Sequence, residues 1–172
     1  NHFRAGNSAN NVSVAPTATK STIEILVQDR FSDLEVASIV TTLQQANNVA
    51  SNAEFFWKFI SDKPGLVHGK AGLIVRAEPL VFDHNLPDQL LIVGGDKIEI
   101  TGWVKRFRAM RRSGKTSILL SDAATAFIKS LKSSEIRLTT HWKDRAALSE
   151  LGHFPALGTS FAEISGNLLT SA

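Results

Sequence analysis

Short apolar runs alternate along the chain with segments in which apolar residues recur at helical spacing. The first run, 22–27, is rich in β-branched residues and predicts a buried strand. The apolar positions that follow Phe31 fit an amphipathic helix. Ser32, with Glu35 three residues later, is a capping-box pattern, so the sequence predicts that this helix begins at Ser32.

The same alternation continues to the end of the chain. Apolar or β-branched runs predict further strands at 54–60, 73–75, 90–93, 117–120 and 137–140. Helical spacing predicts helices at 100–110, 123–131 and 143–151, and Gly114 is the expected left-handed residue after the first of these. The segment 161–170 has the pattern of a hairpin.

The strands are close to continuously apolar, which is typical of a sheet that is covered on both faces. Strands that alternate with helices favour parallel pairing, so we expect an α/β fold with a mostly parallel central sheet between two helical layers. In such sheets ligands bind beyond the carboxyl ends of the strands. The residues that directly follow each strand are therefore the candidates for function.

Composition narrows the possible classes of protein. The 172 residues contain no cysteine, which excludes disulfides, thiolate metal sites and a cysteine nucleophile. No apolar run is long enough for a bilayer and no signal-peptide pattern opens the chain, so we expect a cytoplasmic protein with no membrane partner. Residues 1–20 are rich in Asn, Ala, Ser and Thr, which predicts a flexible arm or linker before one domain at 21–172.

Several strand ends carry residues that could act together. Glu35 follows the first strand, Gly94 and Gly95 end the fourth predicted strand, and Ser121 lies at a sharp strand-to-helix junction. His141 comes 20 positions after Ser121, at the end of the next predicted strand. A nucleophile elbow, an imidazole and a glycine turn that offers N–H donors are the components of acyl-transfer chemistry.

These segments resemble the DJ-1/PfpI, or class I glutamine amidotransferase-like, superfamily. Residues 90–95 are similar to its strand and double-glycine turn, the interval from Ser121 to His141 equals its interval from nucleophile to histidine, and 33–35 matches its first acidic position. Thr139-Thr140-His141-Trp142 and 164–172 are similar to one branch, the sensor domains of AraC-type transcription regulators. The resemblance implies a flavodoxin-like, DJ-1-like three-layer sandwich.

The departures from the superfamily pattern bear on catalysis. Ser121 stands where the enzymes carry cysteine, and Ala123 replaces the usual glycine two residues later. A shift of one residue would place Asp122 in the elbow instead. The resemblance then implies a pocket that binds a metabolite without catalysis or a cofactor. That expected ligand pocket, with no metal, comprises Glu35, Gly94, Gly95, Ser121, Asp122 and His141.

The resemblance also implies partners. The sensor branch binds small effectors, with amino acids or amines as the candidates for this chain, and we expect a homodimer. DNA would be contacted only through a helix-turn-helix module that this chain lacks. Since the chain stops at Ala172 before that module and before the last core helix of the superfamily, the sequence predicts a truncated domain.

Other interpretations of the same residues remain open. Glu35 can be only the capping partner of Ser32, Ser121 or Asp122 can be only a helix N-cap, and His141 can be an interfacial histidine. If Ser121, His141 and Glu35 do form a triad, the chain is a serine hydrolase or amidase. A pure dimerisation domain is a third alternative.

One helix carries a run of basic residues. On a helix whose other face is apolar, basic side chains are expected to be a solvated surface rather than a nucleic-acid site. The run comprises Lys105, Arg106, Arg108, Arg111, Arg112 and Lys115.

Overall fold

The computed structural model describes residues 17–82 and 84–130, together with two strands at 162–165 and 168–171. The strands are β1 (Thr19–Leu26), β2 (Ala53–Ser61), β3 (Gly65–His68), β4 (Ile74–Pro79), β5 (Gln89–Ile92), β6 (Thr116–Leu120), β7 (Ala162–Ser165) and β8 (Leu168–Ser171). The helices are α1 (Asp33–Val49), α2 (Val104–Arg112) and α3 (Ser121–Ser130), and a 3₁₀ turn at Ile100–Gly102 precedes α2.

The strands form one sheet in the order β3-β4-β2-β1-β5-β6-β8-β7. Among the described strands, pairing is parallel throughout the centre of the sheet, and the outer pairs β3–β4 and β7–β8 are antiparallel. The mostly parallel sheet is thus confirmed. From β1 the chain moves to one side through β2 and β4, then returns and moves to the other side through β5 and β6. The order therefore reverses between β1 and β5, where such sheets open a crevice at their carboxyl ends.

Two apolar clusters lie on opposite faces of this sheet. On one face α1 packs Val36, Ile39 and Val40 against Ile25 and Leu91. On the other face α2 and α3 pack against alternate residues of the same strands, and this cluster includes Leu26, Leu90, Ile92, Trp103, Phe107, Met110, Leu119, Phe127 and Ile128. Because neighbouring strand residues point to opposite faces, a continuous apolar run contributes side chains to both clusters. The three-layer prediction is confirmed.

Local signals placed several element boundaries correctly. The Ser32 side chain accepts a hydrogen bond from the Glu35 N–H and caps α1. Gly114 has φ +66° directly after the end of α2, as its C′ position predicts. The first strand begins at Thr19 rather than Thr22, because Thr19 and Lys20 pair with β2, so β1 begins within the predicted arm.

Other predicted elements are confirmed only where the structure describes them. The predicted C-terminal hairpin is confirmed as β7–β8, and β8 pairs in parallel with β6. The strand predicted at 137–140 and the helix at 143–151 lie outside the described residues, as do residues 1–16 of the predicted arm. Across the part of the chain that the structure describes, no helix is both long enough and apolar enough to span a bilayer.

The prediction that the basic residues of α2 form a solvated face is wrong for Arg106. Its side chain is 1% exposed and forms a bidentate pair with Glu24, at 2.7 and 3.1 Å. The same guanidinium donates to the carbonyl oxygens of His84 and Asn85, at 2.8 and 3.0 Å. Arg106 lies one turn from Trp103 and from Met110, so it occupies the apolar face and not the basic one.

Candidate functional site

Ser121 occupies a strained turn between β6 and α3. Its φ is +33°, in the left-handed region that residues with a side chain seldom adopt. An N-cap residue usually has extended dihedrals, so this turn has the geometry of a nucleophile elbow. The elbow residue is therefore Ser121, and Asp122 lies one position into α3.

Glu35 reaches the elbow from the first turn of α1. One carboxylate oxygen accepts from the Ser121 hydroxyl, and the other accepts from the Gly94 N–H at 2.7 Å. The backbone closes the same junction, because the Ser32 N–H donates to the Gly94 carbonyl at 2.8 Å. Of the two bonds of a capping box, the one from the Glu35 N–H to the Ser32 side chain forms. The Glu35 carboxylate instead binds Ser121 at the elbow and Gly94 in the glycine turn.

Each of the two glycines is required by a close approach within the protein itself. A Cβ on Gly94 would meet the Ser121 hydroxyl and would lie 3.2 Å from a Glu35 carboxylate oxygen. A Cβ on Gly95 would lie 2.5 Å from the Arg30 carbonyl oxygen and 2.8 Å from the Phe31 Cα. The absence of a Cβ at Gly94 thus leaves room for the Ser121 and Glu35 side chains, and at Gly95 it leaves room for the loop that connects β1 to α1.

Burial raises the pKa of Glu35 above its ordinary value of 4.5, and the nearby negative charge of Asp122 adds to this effect. The hydrogen bonds from Ser121 and Gly94 lower the pKa and oppose the increase, as does the positive charge of Lys70. The folded site therefore holds a proton on Glu35 more readily than the unfolded chain does. A carboxyl group poised in this way can accept a hydrogen bond when ionised or donate one when protonated.

The structure brings together Glu35, Gly94, Ser121 and Asp122 of the predicted pocket. Gly95 is adjacent, packed against the β1–α1 loop. His141 lies outside the described residues, so its predicted place in the pocket stays a prediction. Among residues 17–82 and 84–130, no three His, Asp or Glu side chains cluster as metal ligands do.

Three charged residues beside the site were not predicted. Arg30 has φ +60° and pairs with Asp96 at 2.8 Å, and Lys70 approaches the same carboxylate at 3.7 Å. The hydrogen bond from Arg30 holds the pKa of Asp96 below its ordinary value. Arg30 and Asp96 each closely follow the end of a strand, so their positions in the sequence could have marked them as candidates for the site. Lys70 follows the β3 hairpin strand and carries no such signal.

The chain has close structural counterparts. An AraC family transcriptional regulator from Pseudomonas putida superposes with a TM-score of 0.71 at 17% identity, over 88% of this chain and 83% of that one. A DJ-1 superfamily protein from Agrobacterium tumefaciens gives 0.61 at 21% identity, over 88% and 81%. A candidate protease I from Bacteroides thetaiotaomicron gives 0.63 at 12% identity, over 88% and 89%.

Sequence comparisons return nothing of this kind: no family model matches the chain, and no curated protein matches it. The structural counterparts therefore show the fold alone, and the predicted flavodoxin-like, DJ-1-like three-layer sandwich is confirmed.

Proposed function

We propose that this chain, with its DJ-1/PfpI fold, is a cytoplasmic small-molecule-sensing domain of an AraC-type transcription regulator and does no chemistry of its own. The observation that carries the proposal is the direct hydrogen bond from the Ser121 hydroxyl to the Glu35 carboxylate at a strained elbow. The likeness to the Pseudomonas putida regulator supports it.

The contact argues against nucleophilic catalysis. A serine hydroxyl attacks efficiently only when a positioned base, usually an imidazole, removes its proton. Within the described residues, the group that the Ser121 hydroxyl contacts is the Glu35 carboxyl group and not an imidazole. The site keeps the elbow geometry of the fold while its thiol is replaced by a hydroxyl.

The same residues suit the recognition of a small nitrogenous effector, such as an amino acid or an amine. Glu35 and Asp122 provide negative charge for an amine, and the elbow provides polar groups at the carboxyl edge of the sheet. Regulation then requires that the effector bind one conformation or one homodimer arrangement more tightly than another. DNA contact belongs to a separate helix-turn-helix domain.

The proposal is tested by thermal unfolding against a panel of amino acids and amines. A true effector at about 100-fold excess over its Kd stabilises the fold by about 2.7 kcal/mol. For a chain of this size that is a rise in Tm of roughly 5–10 °C. Glu35→Gln should weaken the shift, whereas Glu54→Gln, the same change on an exposed residue of β2, should leave it intact. A panel without any shift contradicts the sensor proposal and leaves a dimerisation domain.

A serine hydrolase or amidase is the second candidate, favoured by the left-handed elbow at Ser121 and by the protease I counterpart. It requires His141 as the base. A fluorophosphonate probe would then label the wild-type protein and would fail to label Ser121→Ala. Labelling equal to that of a control hydrolase would overturn the non-catalytic proposal, and no labelling would exclude the hydrolase.

A further inference from the structure

A groove of about 380 Å³ lies toward the amino-terminal ends of the parallel strands, whereas Ser121 lies at their carboxyl ends. Its floor is formed by 22–24 of β1 and 56–58 of β2, and its wall is the loop 85–87 that leads into β5. The volume is within the range of small-molecule sites in proteins. The loop precedes β5 whereas Gly94 follows it, so the groove and the elbow lie at opposite ends of the strands.

The wall of the groove is fixed at both ends. On one side the buried Arg106 holds the carbonyls of His84 and Asn85, and Glu24 in turn holds Arg106. On the other side Asp88 accepts from the Thr22 N–H at 2.8 Å and donates its own N–H to the Thr22 carbonyl at 2.9 Å. The intervening Leu86 and Pro87 are therefore held over the groove, and the cavity exists before any ligand arrives.

The groove offers an aromatic surface. Phe56 is 44% exposed, although it lies on a strand of a mostly parallel sheet, where aromatic side chains are usually covered. Leu86 and Pro87 face the groove from the loop. A flat apolar group placed between this ring and the loop would remove both surfaces from water.

Two lysine side chains at the groove can meet an anionic group, and the Asp88 carboxylate beside Thr22 is paired with Lys115 at 3.5 Å. The Glu24 carboxylate is neutralised by its bidentate pair with Arg106. The Lys20 ammonium lies 5.7 Å from the centre of the Phe56 ring, and the half-exposed Lys58 lines the groove. Lys58 also pairs with Glu78 at 3.1 Å, but this pair is exposed and therefore weak enough to exchange for a ligand group.

We propose that this groove is a second binding site, separate from the elbow, for a flat apolar small molecule that carries an anionic group. The apolar part lies on Phe56 beneath Leu86 and Pro87, and the anion meets Lys58 and Lys20.

The test uses anilinonaphthalene sulfonate as the anionic probe and its uncharged analogue N-phenylnaphthylamine, titrated by fluorescence and calorimetry into protein shown to be native by its cooperative unfolding. We expect saturable binding of one sulfonate probe per chain. Phe56→Ser should weaken it about tenfold. Phe82→Ser is the matched control, since Phe82 is also 44% exposed and has a lysine over its ring.

The lysine arm uses Lys58→Met and its control Lys63→Met, which also removes an exposed lysine paired with a glutamate. Lys58→Met should weaken binding of the sulfonate several-fold, and Lys63→Met should not. Equal weakening by Phe56→Ser and Phe82→Ser, or non-saturable binding, would overturn the site. Equal affinity for the uncharged analogue would overturn its anionic class. Because Glu35→Gln lies at the other end of the sheet, it should leave probe affinity unchanged.

Discussion

The buried pair of Arg106 and Glu24 gives the sharpest prediction for stability. In Arg106→Met the apolar stem is kept, while the Glu24 carboxylate, on a residue 4% exposed, loses both of its charged donors. Removal of one partner from a buried ion pair costs about 3–5 kcal/mol, because the remaining charge stays desolvated. Against a total stability of about 5–15 kcal/mol this is a large fraction. At about 2–4 °C per kcal/mol, Tm should fall by roughly 10 °C.

Urea denaturation at neutral pH measures the loss, and Arg108→Met is the matched control. Arg108 lies on the same helix but is exposed, so its replacement should change the free energy of unfolding by less than about 0.5 kcal/mol. The double variant Glu24→Leu with Arg106→Met leaves no buried charge and should recover part of the loss. The remainder reflects the carbonyls of His84 and Asn85, which lose their donor.

If Arg106→Met lowers the free energy of unfolding by no more than Arg108→Met does, then Glu24 is hydrated in solution and the reasoning fails. A double variant less stable than Arg106→Met would also contradict it, since removal of the lone charge would then bring no gain.

Two further predictions concern the elbow site. Since the pKa of Glu35 is raised in the fold, its native state binds the proton more tightly than the unfolded state, so this contribution to stability is present at low pH and lost as pH rises through the folded pKa. The free energies of unfolding of wild type and Glu35→Gln are compared at about pH 4.5 and pH 7, and wild type should lose stability relative to the variant at the higher pH. A difference between the two proteins that is constant or opposite in sign refutes this. Gly95→Ala should unfold at a lower urea concentration than Gly94→Ala. The added methyl group at position 95 meets the fixed backbone of Arg30 and Phe31, whereas the one at position 94 chiefly displaces the Ser121 hydroxyl. The reverse order of the urea midpoints would contradict the tight backbone contact at Gly95.

The glutamate of the capping box shows how far a local pattern can predict a site. Ser32 and Glu35 signalled the start of α1, and the helix begins there. The pattern could not reveal that the Glu35 carboxylate contacts Gly94, 59 residues away, and Ser121, 86 residues away. The proximity of strand ends was predictable from parallel pairing, but the choice of hydrogen-bond partner depends on how α1 is docked on the sheet.

Elements with local causes could be predicted from the amino-acid order alone. Short continuous apolar runs located the strands β1, β5 and β6, and Gly114 marked the end of α2, because side-chain composition and backbone freedom act over a few residues. The assembled fold was needed to establish that Ser121 rather than Asp122 takes the elbow and that Arg106 turns inward to Glu24, 82 residues away. Such pairs form between elements that meet only when the sheet assembles, so their energies depend on register and docking, which no short window of sequence contains.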